Sequence, residues 1–262
     1  MLAGIHLEGP YFSPAQTGAQ NGKTLRKPQA EEYQKILTKH KIARWDYAPE
    51  LDGDFLFLEK LLSDGVIPSA AHTDATCAEM EAAAERGCRL ITHLYSCTST
   101  VTRDHGFRSL GVIESAFLRD ELYVEIIADG KHLPPELVRM IVKIKGMGRV
   151  VLVTDSLDIA ATDLTSGKFK GGSDFIVEDG VCKLPDRTAF AGSIATADRL
   201  IRVMRDECGF DLVDAVRMMS ATPASLLGVN KGSIKEGMDA DIIVFDEGIN
   251  VSDVFVGGIK KI

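Results

Sequence analysis

The chain of 262 residues is long enough to bury the core of one large α/β domain. Its net charge of −8, without a long block of Lys and Arg, argues against nucleic acid or an anionic membrane surface as partner and favours a small molecule. Five scattered cysteines without a C-x-x-C pair argue against a disulfide framework and a zinc ribbon, and they fit the reducing cytoplasm. No apolar run approaches the roughly 18 residues of a membrane span.

Short apolar runs alternate with amphipathic segments through the first part of the chain. The runs predict six strands, at 2–7, 42–48, 66–71, 89–92, 122–128 and 149–154. The segments between them predict helices, most clearly at 30–40, 55–63, 75–86 and 135–145. This alternation is typical of βα units around a parallel sheet.

The pattern changes after Thr154. A Gly-rich segment, 166–180, contains the start of a predicted hairpin with strands at 175–177 and 181–184. Two long helices are predicted next, from Gly192 to about Cys208 and from Leu212 to Leu227. Strands of a small β appendage are predicted in the tail. We therefore expect one α/β domain, a barrel or an open sheet, at 1–230 and the C-terminal part of a small β domain at 231–262.

The number of strands limits the fold. Six strand–helix units precede the tail, whereas a closed (β/α)₈ barrel needs eight. Either two strands are missing before the first one seen, or the sheet is open and doubly wound. The second option is weakened because the sequence has neither G-x-G-x-x-G nor the phosphate-binding G-x-x-x-x-G-K-[ST].

Ionisable residues follow five of the predicted strands, at the end where the loops of a barrel form one shared mouth. They are Glu8, His72, His93, Asp155 and the pair Asp129 and His132. A single residue of this kind is most often a turn or capping residue. Five strand ends that carry metal-ligand residue types favour a site over five separate turns.

One carboxylate and two imidazoles, from Glu8, His72 and His93, are the ligand set of a catalytic Zn²⁺ or similar ion with an open position for water. Asp155 ends a buried run, where an ionised carboxylate needs a cation or hydrogen bond, and this suits a general base. The guanidinium of Arg108 is suited to bind a phosphate, as is His132, although an isolated loop Arg is more often solvated.

Two residues near these ligands receive lesser roles. His6, two residues before Glu8, is interpreted as a supporting or core residue. Cys97 lies near His93, but no sequence feature there activates a thiol, so a nucleophilic role is not expected.

Seven motifs occur in an order that resembles a known family. They are H-L-E-G-P at 6–10, A-H-T-D-A-T at 71–76, T-H-L-Y at 92–95, A-D-G-K-H at 128–132, V-T-D at 153–155, F-A-G-S at 190–193 and T-P-A-S-L-L-G at 222–228. Over nearly the whole chain this order resembles the N-acetylglucosamine-6-phosphate deacetylases of the amidohydrolase superfamily. The tail at 231–245 is similar to the superfamily in general, whereas H-L-E-G-P is more specific.

The resemblance implies a fold and a function. The fold is an α/β, metal-dependent hydrolase-type TIM (β/α)₈ barrel that lacks its first two strands, followed by C-terminal strands of a small β-sandwich. The function is metal-dependent hydrolysis of the acetamide of N-acetylglucosamine 6-phosphate, in amino-sugar catabolism. The resemblance further implies one divalent ion per chain, Zn or Fe, an amino-sugar phosphate as partner and a homodimer.

Individual roles also follow from the resemblance. The carboxylate and the two imidazoles named above are implied to hold the metal, and Asp155 to be the catalytic acid/base. His132 and Arg108 are implied to bind the sugar phosphate, with Arg108 acting across a dimer interface. Any second metal that needs the superfamily's H-x-H motif cannot bind in full, since the chain starts after that strand.

The chain departs from the family pattern at two places. Ser96 and Cys97 stand where the family usually has Asn-Ala, and Gln20 stands where many members have His. All three are candidate substrate-binding residues. The Ser96-Cys97 pair motivates an alternative, an amidohydrolase for another N-acyl sugar phosphate or a cyclic amide. An inactive truncated remnant is a further alternative, against which the intact ligand residues argue.

Overall fold

The structure, a computed structural model, describes residues 3–169 and 174–262. The predicted strand start at residue 2 and residues 170–173 of the Gly-rich segment lie outside these ranges. None of the helices in the described ranges has the length and apolarity of a membrane-spanning helix. The chain divides into two compact units, one that ends at Glu125 and one that comprises Ile126–Ile262.

The N-terminal unit is built on a parallel sheet, as the alternating pattern predicts. Its strands are β1 (Ile5–Glu8), β2 (Ile42–Tyr47), β3 (Ile67–Ala70), β4 (Leu90–Ile91), β5 (Thr102–Asp104), β6 (Phe107–Ser109) and β7 (Tyr123–Ile126), which ends one residue into the next unit. Its helices are α1 (Ala30–Lys39), α2 (Leu56–Ser63), α3 (Cys77–Glu85) and α4 (Val112–Leu118). Strands β1, β2, β3, β4 and β7 pair in parallel in this order.

An antiparallel hairpin, β5–β6, interrupts the alternation between β4 and β7. All six of its strand residues are exposed, and Phe107 is 79% exposed. Such strands bury no face, so they lack the period-2 pattern on which a sequence prediction depends. The hairpin was therefore not predicted, although it carries Arg108.

The C-terminal unit contains helices and two small antiparallel sheets. Its strands are β8 (Val150–Leu152), β9 (Gly167–Phe169), β10 (Phe175–Glu178), β11 (Val181–Lys183), β12 (Ile242–Phe245), β13 (Val251–Val256) and β14 (Ile259–Lys260). Its helices are α5 (Pro135–Lys145), α6 (Ala197–Asp206), α7 (Leu212–Met219) and α8 (Ala221–Leu227). The predicted hairpin is present as β10–β11, and the tail forms the sheet β12-β13-β14. The predicted domain boundary at residue 230 stays a prediction.

The predicted start of a helix at Gly192 is wrong, because α6 begins at Ala197. Gly192 has a φ of 81°, and the amide of Ser193 donates to the carbonyl of Asp155 over 2.8 Å. The hydroxyl of Ser193 donates to the carbonyl of Thr154. These bonds hold the segment as a loop beside the chain that follows β8.

The single helix predicted over 212–227 is two helices, α7 and α8. Ser220 separates them with φ −132° and ψ −69°, which is not helical. Pro223 lies in the first turn of α8, where its missing amide leaves no helical bond unmade. In one continuous helix the proline ring would clash with the carbonyl four residues before it, so the helix restarts instead.

A cluster of buried aromatic rings anchors the first loop of the N-terminal unit. Phe57 of α2 is its centre, and the rings around it are those of Tyr11, Tyr33, Trp45 and Tyr47, with centroid distances of 4.9 to 5.5 Å. The indole of Trp45 donates to the carbonyl of Gly9 over 2.8 Å. The cluster therefore fixes the chain directly after Glu8.

We expect Phe57→Ala to lower the free energy of unfolding of the N-terminal unit by about 3–5 kcal/mol, because it opens a cavity among four rings. Leu56→Ala is the matched control, since Leu56 is 57% exposed while Phe57 is fully buried, and it should change stability by less than about 0.5 kcal/mol. Urea denaturation followed by the fluorescence of Trp45, the one tryptophan, measures both. Equal losses in the two variants would contradict the assigned role of the cluster.

Candidate active site

Three predicted metal ligands from separate strands lie together in the N-terminal unit. Glu8 is the last residue of β1, and His72 and His93 each lie two residues beyond β3 and β4. The Nε2 atoms of His72 and His93 lie 3.0 and 3.3 Å from Oε1 of Glu8. One ligand atom from each residue lies within 4.8 Å of the other two. We call these three residues the ligand cluster.

Both histidines have an unusual backbone. The φ angle is 45° at His72 and 29° at His93, values in or near the left-handed region that costs a non-glycine residue about 1–3 kcal/mol. The carbonyl of His72 accepts a bond from the amide of Ser13 over 2.9 Å, and that of His93 accepts one from Ser96 over 2.8 Å. Strain held by surrounding bonds in this way is typical of functional sites.

The ring of His72 is oriented by contacts on both sides. Its Nδ1 lies 2.8 Å from the carbonyl oxygen of Gln16, and its ring stacks on Phe12 at 4.5 Å. A carbonyl only accepts, so Nδ1 carries the proton that it donates there. In the neutral ring, Nε2 is then left with a lone pair that faces Glu8, the arrangement found in metal-ligating histidines.

The electrostatics of the cluster favour positive charge. Burial acts to raise the pKa of Glu8, but the hydrogen bonds and charges of His72 and His93 outweigh it and hold this pKa well below its usual range. Burial disfavours the charged form of His72, but bonds to Cys97 and Glu8 raise its pKa to about 10. A pocket that stabilises a cation beside a carboxylate and two imidazoles fits a divalent metal ion.

The substrate-binding candidates of the N-terminal unit differ in position. Gln20 donates from its amide to Oε1 of Glu8 over 3.2 Å, so it contacts a ligand residue directly. Cys97 lies against His72 and the backbone of Gly18, where a Cβ would overlap its sulfur. Ser96 lies between His93 and Cys97 in the tight turn after β4. All three therefore lie on loops that touch the ligand cluster.

Arg108 is not part of this cluster. It lies on the exposed strand β6, opposite Arg103 of β5, and it donates to the carbonyl of Gly106 in its own turn over 2.7 Å. Within the described part of the chain it makes no hydrogen bond to Glu8 or to either histidine.

Asp155 lies three residues beyond β8 in the C-terminal unit, and its φ of 47° is also left-handed. Its backbone is held by the amide of Ser193, while its side chain is only partly buried. Cys182 is close enough to respond to it, since burial and the Asp155 charge together raise the pKa of this thiol to about 11. Asp155 is therefore a carboxylate beyond a strand end that is held through its backbone, and its role as general base stays a prediction.

Asp129 and His132 form a buried hydrogen-bonded pair in the same unit. Oδ2 of Asp129 lies 2.9 Å from Nδ1 of His132, and Oδ1 accepts bonds from the amides of Lys131 and His132. The ring of His132 packs against Phe190 at 4.9 Å. The carboxylate thus fixes the imidazole and leaves Nε2 as the ring nitrogen that can meet a ligand.

No sequence pattern above predicts a supporting residue of the ligand cluster, Glu50. Its carboxylate accepts bonds from the hydroxyl of Thr73 over 2.6 Å and from the amide of Asp74 over 2.7 Å. These bonds fix the loop directly after His72. Glu50 follows Ala48 and Pro49, just beyond the end of β2. It could have been predicted only by searching the end of β2 for ionisable residues, as for the other strands.

The chain belongs to the amidohydrolase family, whose pattern matches residues 1–260. The fold and the ligand cluster agree with this class of protein. Members of this superfamily generally depend on a divalent metal, and the ligand cluster is of the type that holds one. The family match and the similar structures described next confirm the predicted class of fold, the metal-dependent hydrolase type of TIM barrel.

The chain is similar to particular members of the family, the N-acetylglucosamine-6-phosphate deacetylases. It is 33% identical to that of Bacillus subtilis (strain 168) over 247 residues, 93% of this chain and 61% of the relative. The deacetylase structure from Mycobacterium smegmatis has a TM-score of 0.92 and 29% identity, over 100% of this chain and 69% of that one. The one from Thermotoga maritima has a TM-score of 0.89 and 31% identity, over 99% and 69%.

The chain spans about three fifths of the length of the curated relatives it matches, 61% and 63% for two bacterial ones. The resemblance read from the seven motifs is confirmed by these comparisons.

The Asp129–His132 pair makes the stability of the C-terminal unit depend on pH. Burial acts to raise the pKa of Asp129, but His132 and the two backbone amides outweigh it and the pKa lies below its usual value. The unfolded-state value is about 3.9, so the carboxylate stabilises the fold above that pH and this stabilisation is lost as the pH falls through the folded-state pKa.

The difference in unfolding free energy between the wild type and Asp129→Asn should therefore shrink as the pH falls from about 5 to about 2. Chemical denaturation at several pH values, followed by circular dichroism, measures it. A difference that stays constant or grows on acidification would show that the carboxylate is not stabilised by folding.

Proposed function

We propose that the chain hydrolyses the acetamide of N-acetylglucosamine 6-phosphate to glucosamine 6-phosphate and acetate, with a divalent ion held by Glu8, His72 and His93. The observation that carries this proposal is the convergence of one carboxylate and two imidazoles at the carboxyl ends of three strands. The substrate is inferred from the similar proteins, which are named as deacetylases of this sugar phosphate.

When bound, a divalent ion in such a site acts as a Lewis acid and lowers the pKa of water. The residues of the chain supply the rest of the chemistry. Gln20 holds the Glu8 carboxylate from the side, and the Gln16 carbonyl keeps Nε2 of His72 available. Asp155 is proposed as acid/base: it takes a proton from the attacking water and gives it to the amine nitrogen as the C–N bond breaks.

The phosphate is proposed to meet His132 and Arg108. His132 is held by Asp129 through Nδ1, so Nε2 is the ring nitrogen left to face the phosphate, and it donates to this anion when the ring carries both protons. Arg108 lies exposed on a hairpin beside Phe107, which suits a contact with a second copy of the chain. This supports a homodimer in which Arg108 reaches the neighbouring site.

Other details of the prediction also stay proposals. An incomplete barrel is supported by the position of β1 at one end of the strand order. A small β-sandwich is supported by the sheet β12-β13-β14. The metal is proposed to be Zn or Fe, one ion per chain, since imidazole and carboxylate suit both. The cytoplasm is proposed as compartment because all five cysteines are free.

A second candidate is hydrolysis of another N-acyl sugar phosphate. The observation that favours it is the position of Cys97, whose sulfur lies between Gly18 and His72 next to the ligand cluster. A thiol at this position alters the surface beside the ligand cluster, and the shape of a binding site sets which substrate is accepted.

Purified protein incubated with Zn²⁺ and freed of excess metal should hold about one ion per chain, because three protein ligands suffice for one open site. His72→Asn combined with His93→Asn should remove it, and Asn tolerates their left-handed backbone. The matched control is His40→Asn combined with His105→Asn, two exposed histidines. Elemental analysis decides: metal-free wild type, or equal content in both double variants, would refute the assignment.

Asp155→Asn should lower kcat for acetate release from N-acetylglucosamine 6-phosphate by at least about 10²-fold, because general acid/base assistance is lost. KM should change much less, and the metal content should stay at that of the wild type. Assays with N-acetylglucosamine and N-acetylgalactosamine 6-phosphate test the substrate. If the metal-loaded wild type releases acetate neither from N-acetylglucosamine 6-phosphate nor from these two compounds, the inactive remnant is favoured.

A further inference from the structure

A buried network of charged and hydroxyl side chains crosses the sheet of the N-terminal unit. Arg44 is its centre: Nε donates to Oδ1 of Asp46 over 2.8 Å, and its other nitrogens donate to both carboxylate oxygens of Glu125. We call the connected set the Arg44 network. Its members are His6, Arg44, Asp46, Ser69, Thr92 and Glu125.

The hydroxyl of Thr92 is the junction of this network. It accepts from Arg44 over 2.6 Å and lies 2.9 Å from Oδ2 of Asp46 and 2.7 Å from the hydroxyl of Ser69. An ionised carboxylate only accepts, so the Thr92 proton points to Asp46 and the Ser69 proton points to Thr92. One donor and two acceptor positions are therefore all used.

Such a network is a costly way to fill a core. Asp46 is fully buried, and Arg44 and Glu125 are nearly so. Buried ion pairs give up solvation that their mutual attraction repays only in part, so apolar side chains of similar volume are often as stable or more stable. Stability alone therefore does not account for the network, and its directional bonds point to a role in positioning.

Its members lie on each of the five parallel strands described for the N-terminal unit or on the residue next to it. His6 lies on β1, Asp46 on β2, Ser69 on β3 and Glu125 on β7, while Thr92 follows β4 directly. Apolar packing tolerates small slips between strands, whereas hydrogen bonds of 2.6 to 3.1 Å do not. The network therefore fixes the positions of these strands along their own axes.

The residues of the ligand cluster follow members of the network in sequence, toward the carboxyl ends of the same strands. Glu8 lies two residues after His6, and Glu8 is the register partner of Asp46. His93 follows Thr92 directly, and the third ligand comes three residues after Ser69. Each ligand is thus joined by a few covalent bonds to a member of the network.

We propose that the Arg44 network is the positioning layer of the ligand cluster, and that it sets the affinity of the site for a divalent ion. This inference rests on the proposed function, since it takes Glu8, His72 and His93 as metal ligands. Loss of groups that orient metal ligands typically weakens metal binding by about 10–100-fold.

Thr92→Val tests it, because valine has the shape of threonine but lacks the hydroxyl on which three bonds meet. The Kd for Zn²⁺, measured by competition with a chromogenic chelator, should rise by about 10–100-fold. Thr92→Ser keeps the hydroxyl and should return the Kd to within a few-fold of the wild type. The melting temperature of each metal-free variant is measured in parallel.

Thr222→Val is the matched control. Thr222 is as buried as Thr92, at 4% against 3%, and its hydroxyl donates to a backbone carbonyl, that of Met147. It lies in the C-terminal unit and outside the network. We expect a lower melting temperature for this variant and the Zn²⁺ affinity of the wild type.

A Thr92→Val variant with lowered melting temperature but wild-type Kd would overturn the inference and leave the proposed function intact. Wild type that binds neither Zn²⁺ nor Fe²⁺ would overturn both. If Thr92→Val does not fold, Arg44→Lys replaces it, since it keeps the charge and loses the fork that joins two carboxylates. Unchanged Zn²⁺ affinity in that variant would overturn the inference equally.

Discussion

Parallel strands of one sheet end at the same edge, and the candidate site depends on this constraint. Glu8 and His93 are 85 residues apart in sequence, yet Nε2 of His93 lies 3.3 Å from Oε1 of Glu8. The pairing register of β1 with β2, and of β2 with β3, determines how far each strand extends toward this edge of the sheet. The chemistry of the cluster is therefore a consequence of strand pairing and not of any local motif.

The sequence predicts what can be read within one segment. The apolar runs predicted at 42–48 and 66–71 are β2 and β3 within one or two residues at each end, because each run is visible without knowledge of its neighbours. Glu8, His72 and His93 were selected for the same reason, as polar residues that close such runs, and their role as metal ligands stays a prediction. The roles of Asp155 and Arg108 stay predictions, since the geometry described for each shows position and not chemistry.

The Arg44 network was not predicted. Arg44 meets Thr92 across 48 residues and Glu125 across 81, and nothing near any of these residues signals the other. An Arg and an Asp two positions apart in an apolar strand lower the agreement with a buried-strand pattern. Their purpose becomes visible only when their shared hydrogen-bond partners are known. The break at Ser220 was missed for a different reason: the apolar period continues through it, and only the proline three residues later marks the restart.

The hydrogen positions in the Arg44 network have a consequence for the movement of protons. Arg44 only donates and an ionised Asp46 only accepts, so the hydroxyls of Thr92 and Ser69 have one orientation that satisfies every partner. A proton wire must be able to reverse its chain of donors, and this chain cannot reverse without leaving a buried group unpaired. The network therefore acts as a set of fixed dipoles and does not relay protons to or from the ligand cluster.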